Sequence, residues 1–181
     1  MAIEGYYVVV TDCFHGETIE TIPDFATFAN KYPYESVSKD IDATIAHLLA
    51  KGVSKDSIAA LGFCWGAWAI AKSASEGVQW KCAASPHPAT KLEPYIFAGD
   101  EEAMLGKVEC PFLLMPAGDD PDNVKPGSEI VKKLEEKEGM SVPFDRMVHG
   151  FVTRGDLSLP DVKEDAEKAL ELATDFIKKH C

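Results

Sequence analysis

The segment Leu61–Ala67 reads Leu-Gly-Phe-Cys-Trp-Gly-Ala and joins an apolar run to a stretch of small, helix-forming residues. It has the G-x-S-x-G pattern of a nucleophile elbow, with Cys64 in place of serine. The chain reverses sharply in such an elbow, so glycines are expected two residues before and after the nucleophile, at Gly62 and Gly66. Cys64 would then begin a helix, where free amides and the helix dipole favour a thiolate. The amide of Trp65 would face a developing oxyanion.

The same letters also suit an inert, buried cysteine at a tight strand-to-helix turn. The functional interpretation is favoured by the apolar run before Cys64 and by the helical pattern after it, since an elbow requires both.

Away from the elbow, strand patterns alternate with helix patterns. Continuous apolar runs predict five strands of a mostly parallel sheet, namely Tyr6–Thr11, Ser57–Phe63, Trp80–Ser85, Pro111–Ala117 and a more polar edge strand at Val142–Val148. Apolar spacings of three or four residues predict helices, at residues 37–49 with Gly52 as the cap, at Trp65–Glu76, at Ser128–Glu138 and at Asp161–Lys179. The fold class is therefore α/β, with helices on both faces of the sheet and one domain over residues 1–181. Residues 86–109 are irregular and are expected to pass over the C-terminal edge of the sheet.

Composition excludes several classes of protein. The 181 residues carry 18 Lys and Arg against 30 Asp and Glu, a net charge of −12, so nucleic acid would be repelled. No apolar stretch approaches the ~20 residues of a membrane span, and the first residues do not predict a signal peptide. Five widely spaced cysteines without a Cys-x-x-Cys pair predict free thiols in the cytoplasm, namely Cys13, Cys64, Cys82, Cys110 and Cys181. No metal-ligand spacing is present, and no cofactor is expected.

A cysteine nucleophile needs a base and a group that orients the base. His149 follows the last predicted strand, a position that the other four histidines do not share: His15, His47, His87 and His180. The run Asp119-Asp120-Pro121-Asp122 follows the strand before it. The order nucleophile, acid, histidine along the chain is one of the known orders of a catalytic triad.

Five stretches along the chain carry a family resemblance. They are GYYVVVTDCFHG (5–16), LGFCWGA (61–67), SPHP (85–88), CPFLLMPAGDD (110–120) and HGFVTRGD (149–156). Together they resemble the dienelactone hydrolase family of the α/β-hydrolase superfamily, in particular its eukaryotic and fungal-type branch. The resemblance implies a hydrolase of small lactones or carboxylic esters that acts through a Cys-His-Asp triad and a thioester. It implies Cys64 as the nucleophile, His149 as the general base and Asp120 as the orienting acid, with Asp122 as the alternative.

The substrate would be a small lactone or ester held beside the triad. Arg154 is the candidate for binding a substrate carboxylate as a planar, bidentate clamp, although a surface pair with Asp156 would also explain it. Phe14 and His15 are the other candidates for substrate contacts.

The chain also departs from the family pattern. It begins at what would be a member's fourth strand, so we expect it to lack the loop that donates a second oxyanion amide. The sheet edge exposed in this way would invite self-association.

Two other classes of function remain open at this stage. The chain could be a non-catalytic family member that binds a partner or regulates one. It could also be a thiol sensor or a class-I amidotransferase type of protein, which the late Asp-then-His order disfavours.

Overall fold

The computed structural model describes residues 5–19 and 24–181. The chain separates into two compact units, Met1–Lys55 and Asp56–Cys181, and each is described by itself. The assignment of residues 1–181 to one domain stays a prediction.

The first unit is helical where it is regular. Its helices are α1 (Phe25–Asn30) and α2 (Tyr34–Ala50). Helix α2 confirms the helix predicted from the apolar spacing, because its inward positions are buried: Val37, Ile41 and Leu48. Gly52 follows its end with a φ of +86°, the left-handed conformation that glycine adopts readily after a helix.

The strand predicted at Tyr6–Thr11 is wrong. Residues 5–19 contain no strand, and the side chains of Tyr7, Val8 and Val10 are exposed. An apolar, β-branched run becomes a strand only when its amides and carbonyls pair with a neighbouring strand. The sheet of the described residues consists of strands from residues 60–141 and includes no strand from residues 6–11.

The second unit contains a sheet of four parallel strands. They run in the order β1-β2-β3-β4, where β1 is Ala60–Leu61, β2 is Ala83–Pro86, β3 is Phe112–Met115 and β4 is Met140–Ser141. Strands β2 and β3 pair along their whole length, from Ala83 opposite Phe112 to Pro86 opposite Met115. Every residue of these two strands is buried, as expected for apolar runs that are covered on both faces.

Helices cover both faces of this sheet. The helices of this unit are α3 (Trp65–Ser75), α4 (Leu92–Phe97), α5 (Glu101–Gly106), α6 (Glu129–Glu135), α7 (Phe151–Arg154) and α8 (Pro160–His180). Helix α3 packs on β1 and β2, while α8 packs on β2 and β3. Since α3 and α8 both lie on β2 and have no substantial contact with each other within residues 56–181, they occupy opposite faces. The predicted α/β class is confirmed, and so are the helices predicted at α3, α6 and α8.

The path of residues 86–109 differs from the prediction. Instead of passing over the edge of the sheet, this stretch forms α4 and α5, and α5 packs against both α3 and α6 in one helical layer. Asp100 begins α5 by accepting a hydrogen bond from the Ala103 amide at 2.9 Å. Of the glycines and prolines that made the stretch look irregular, Gly106 ends α5 and Pro94 lies in the first turn of α4, where proline is tolerated.

The last strand is also shorter and earlier than predicted. Residues 142–148 are not a strand; β4 covers Met140–Ser141, at the edge of the sheet, and pairing continues only as a bridge between Ala117 and Phe144. Two residues beside this bridge, Pro116 and Pro143, have no amide hydrogen, so a continuous ladder cannot form there. The chain then turns, and residue 149 lies beside the loop that follows β3, at the carboxyl end of the sheet.

Candidate active site

Cys64 lies at a strained turn between β1 and α3. Its φ is +51° and its ψ is −114°, a conformation that an L-residue rarely adopts. A Cβ at Gly62 would lie 2.6 Å from the backbone of Gly66, so only glycine fits at position 62. The expectation for Gly66 is not met, because a Cβ there meets no atom within 4 Å outside its own helix. The tight approach therefore restricts one of the two glycines.

The surroundings of Cys64 favour the thiolate. Burial raises the pKa of the Cys64 thiol, but a hydrogen bond and the positive charge of His149 lower it, as does a hydrogen bond from the Trp65 amide, and the net shift is downward. The charge of Arg154 acts in the same direction. Cys64 differs in this from Cys13 and from Cys110, since burial raises the pKa of each of those thiols to about 11.

Asp120 lies beside the His149 ring. Asp120 Oδ1 is 2.6 Å from His149 Nδ1, and the Asp120 side chain has no exposed surface. Its other oxygen, Oδ2, accepts a hydrogen bond from the Ala117 amide at 2.9 Å. The carboxylate is thus fixed by the backbone at the end of β3 and directed at the imidazole.

The sequence left Asp120 and Asp122 as alternatives, and the structure brings only Asp120 to the histidine. Asp122 is 95% exposed and pairs with Lys125 at 3.1 Å. Asp119, to which the sequence pattern assigns no role, also lies beside His149 and accepts a hydrogen bond from its backbone amide at 2.6 Å. The sequence signal that could have indicated Asp119 is its place in the same strand-end loop.

The loops that carry Asp120 and His149 are held closely together. The Gly118 amide donates to the Met147 carbonyl at 2.8 Å, and a Cβ at Gly118 would lie 2.3 Å from the Asp145 carbonyl oxygen. Arg146 also pairs with Asp165 of α8 at 3.1 Å. The short distance between the two candidate side chains therefore depends on backbone contacts that only a glycine permits.

His149 is set up to hold a proton. Its hydrogen bonds to Asp120 and then to Cys64 raise the pKa of His149 to about 9, against the opposing effect of burial. The lowered pKa of Cys64 and the raised pKa of His149 both favour the thiolate and imidazolium form of the pair over its neutral form. The arrangement can supply a nucleophile and a proton donor at one place.

His87 is a neighbour of the pair that the sequence analysis did not assign a role. It is completely buried, and its ring centroid lies 5.1 Å from that of His149 at an interplanar angle of 71°. Neither ring nitrogen has a hydrogen-bond partner within residues 56–181. Burial and the nearby charge of His149 lower the pKa of His87 to about 4, so it adds no charge beside His149 at neutral pH. Its place between two prolines after β2 was the available sequence signal.

Arg154 ends α7, five residues after His149, and is exposed. Within residues 56–181 it forms no ion pair; Asp156, the partner considered from the sequence, accepts instead from the Ser158 amide at 2.9 Å. A Cβ at Gly150 would lie 2.8 Å from Arg154 Nη2, so the guanidinium lies over the glycine that follows His149.

Phe14 and His15 are described within the first unit. The Phe14 ring packs against Phe28 and Tyr32 at centroid distances of 4.8 and 5.0 Å. His15 pairs with Asp40 at 3.0 Å, and its side chain is 62% exposed. Their roles in substrate binding stay predictions.

The described residues lack the features of a metal site and of a membrane-spanning helix. They contain no group of three or more His, Cys, Asp or Glu side chains placed to hold a metal ion. None of the helices in this part of the chain has the length and apolar character to span a bilayer.

Comparisons with known proteins give one match. The model of the dienelactone hydrolase family matches residues 1–181, and the fold of this family is the α/β-hydrolase fold. No curated protein and no solved structure matches the chain.

Proposed function

The chain belongs to the dienelactone hydrolase family, and from this membership and the surroundings of Cys64 we propose that it hydrolyses small lactones or carboxylic esters through a thioester on Cys64. Family membership by itself supports a hydrolase of the dienelactone hydrolase type. The observation that carries the finer proposal is the buried carboxylate of Asp120 bonded to His149 Nδ1, with His149 close enough to Cys64 to lower the pKa of its thiol. It favours a nucleophilic thiolate at the start of a helix.

The proposed reaction begins with the thiolate already formed. Cys64 Sγ attacks the carbonyl carbon, and the negative charge that develops on oxygen is stabilised by the Trp65 amide. The tetrahedral intermediate collapses to a thioester as the leaving oxygen takes the proton from His149. Because Nδ1 of His149 is bonded to Asp120, the transferring nitrogen is Nε2.

The second half restores the enzyme. Water attacks the thioester carbonyl while His149 Nε2 accepts its proton, and the acid product leaves with re-formation of the Cys64 thiolate. The role of Asp120 is to hold the imidazole in the correct tautomer and to stabilise the imidazolium.

Substrates that carry a carboxylate are favoured in this proposal. The exposed guanidinium of Arg154 is close enough for its charge to lower the pKa of Cys64, and it has no carboxylate partner within residues 56–181. A planar guanidinium in this position can bind a substrate carboxylate with two parallel hydrogen bonds. Phe14 and His15 are kept as candidates for substrate contacts on the ground of the sequence alone. We further propose that the partner is a small molecule and neither a nucleic acid nor a membrane. The proposed location is the cytoplasm.

The experiment that tests the proposal is the replacement of Cys64. We expect Cys64→Ser to lower kcat/KM for p-nitrophenyl acetate and a simple lactone by about 10³-fold or more. Acid quenching of the unaltered protein with the ester should trap an acyl group on the peptide that contains residue 64. Cys110→Ser is the matched control, since burial raises the pKa of that thiol, and it should keep the rate.

Two results would contradict the proposal. An unchanged rate in Cys64→Ser would place the chemistry elsewhere. A folded, unaltered protein that neither hydrolyses esters nor accepts an acyl group would favour the non-catalytic, partner-binding interpretation instead.

A further inference from the structure

Two cysteines that are far apart in sequence meet where α8 ends. Cys82 lies just before β2 and is completely buried, while Cys181 directly follows α8 and is exposed. Their Sγ atoms are 3.9 Å apart, although the residues are 99 positions apart in the chain. We propose that Cys82 and Cys181 form a site of reversible covalent modification, an intrachain disulfide that ties the end of α8 to the start of β2.

The two thiols are within one small movement of bonding distance. A disulfide bond is about 2.05 Å long, so the sulfurs must approach by about 2 Å. Cys181 can supply that movement because it is exposed, lies beyond the last residue of the helix, and is attached to α8 by the hydrogen bond from its amide to the Ile177 carbonyl. Cys82 is held in place, since its carbonyl accepts from the Ala60 amide at 3.0 Å.

The order of the two oxidation steps follows from the different exposure of Cys181 and Cys82. Cys181 meets an oxidant first because it is the exposed member of the pair. Burial, together with the neighbouring Cys181, raises the pKa of Cys82 far above its ordinary value, so Cys82 resists direct oxidation. Its sulfur is nevertheless in contact with the Cys181 sulfur, which makes it the resolving thiol.

With a hydroperoxide as the oxidant, the chemistry balances without any other reagent. The Cys181 thiolate attacks one oxygen of hydrogen peroxide, the O–O bond breaks, and a sulfenic acid forms while the second oxygen leaves as hydroxide and becomes water. The Cys82 sulfur then attacks the Cys181 sulfur, the S–O bond breaks, and the hydroxyl leaves with the Cys82 proton as water. Two thiols lose two electrons to one peroxide, giving one disulfide and two waters. A thiol reductant reverses the step.

The crosslink would act on the stability of the second unit. Helix α8 packs on β2 and β3, and a bond from residue 82 to residue 181 closes a loop over most of that unit. Closing a long loop restricts the unfolded chain more than the folded one. We therefore expect the oxidised protein to unfold at a temperature several degrees above that of the reduced protein.

Cys110 is the competing partner. It is close enough to contribute to the raised pKa of Cys82, and burial raises the pKa of Cys110 to about 11. Within residues 56–181, the Cys82 sulfur contacts the sulfur of Cys181 and does not contact that of Cys110. Oxidation should therefore select Cys181.

The test uses the full chain with Cys64→Ser, so that the activated thiol of the candidate site does not consume oxidant. The protein is treated with hydrogen peroxide, its remaining thiols are blocked with iodoacetamide under denaturing conditions, and its peptides are mapped by mass spectrometry. We expect a loss of two hydrogens, a linked peptide pair containing residues 82 and 181, and a raised Tm, all reversed by dithiothreitol.

Two further variants in the same background make the result decisive. Cys110→Ser should leave the linked peptide and the rise in Tm unchanged, whereas Cys181→Ser should abolish both. A bond between residues 82 and 110, an intermolecular bond through residue 181, or sulfenic and sulfinic acid at residue 181 without a bond would each overturn the proposal. None of these outcomes depends on whether Cys64 is catalytic, so the two proposals can fail separately.

Discussion

Replacement of Asp120 by Asn removes a buried negative charge from beside His149 and changes almost nothing in volume. Asp120 Oδ1 lies 2.6 Å from His149 Nδ1, and the side chain has no exposed surface. The amide nitrogen of an Asn can face Nδ1 only as a donor, which favours the wrong tautomer of the imidazole. We expect Asp120→Asn to fold and to lose most of its activity.

The magnitude follows from the pKa of His149. The hydrogen bond to Asp120, followed by that to Cys64, raises this pKa from its ordinary value of 6.5 to about 9. At ~1.4 kcal/mol for each unit, the shift corresponds to about 3 kcal/mol in favour of the imidazolium. If Asp120 supplies at least half of it, the variant loses about 2 kcal/mol, a factor of ~30 in the proton equilibrium. Loss of the correct tautomer adds to this, so kcat/KM should fall by about 10³- to 10⁴-fold.

The assay measures the thiolate directly and does not depend on turnover. The rate of alkylation of Cys64 by iodoacetamide, followed against pH, reports the pKa of the thiol, which the variant should move upward toward its ordinary 9.0. Asp122→Asn is the matched control, because Asp122 is 95% exposed and pairs with Lys125 at the surface. If the alkylation profile of Asp120→Asn overlaid that of the unaltered protein, the reasoning about the buried carboxylate would be refuted.

Three other predictions concern the same site. The rate of ester hydrolysis should rise with pH as the lowered pKa of Cys64 is passed and fall again near pH 9 as His149 loses its proton; a rate that still increased above that pH would contradict the ion pair. Gly62→Ala should lower the free energy of unfolding by about 1–3 kcal/mol, because its Cβ would meet backbone at 2.6 Å. Gly66→Ala places its Cβ in open space within a helix, so in chemical denaturation it should leave the free energy of unfolding unchanged or raise it by up to ~1 kcal/mol. An equal loss of unfolding free energy in Gly62→Ala and Gly66→Ala would contradict the close approach at Gly62. Arg154→Gln should raise KM for an ester that carries a carboxylate by about tenfold, for a lost charge-assisted contact of ~1.5 kcal/mol, and should leave KM for a neutral ester unchanged. Equal changes of KM for the two esters would exclude the clamp.

Much of the second unit could be predicted from local sequence. Helices α3, α6 and α8 follow from apolar spacing and from their terminal residues, and β2 and β3 follow from short apolar runs. These helices and strands depend on residues that are close together in the chain, so the local pattern of apolar residues predicts them. The strand expected at residues 6–11 fails for the opposite reason, since a strand exists only if another part of the chain pairs with it.

The neighbours of His149 were harder to predict. His87 lies between two prolines in the sequence, a pattern that assigns it no role, yet its buried ring lies 5.1 Å from the His149 ring. That contact depends on where the end of β2 meets the loop before α7, which no local pattern specifies.

The sequence by itself determined the elbow around Cys64 and the order of cysteine, acid and histidine along the chain. Only the tertiary structure decided which acid lies beside His149. Asp120 and Asp122 are the same residue type and lie two positions apart, so the sequence pattern does not distinguish them. The choice follows from the loop after β3, where the Gly118 backbone approaches the Asp145 carbonyl so closely that a side chain would not fit. In this loop the Asp120 carboxylate is buried beside His149, whereas the Asp122 carboxylate is exposed to water. A charge shifts the pKa of a neighbouring group strongly only when it lies close to that group and is shielded from water.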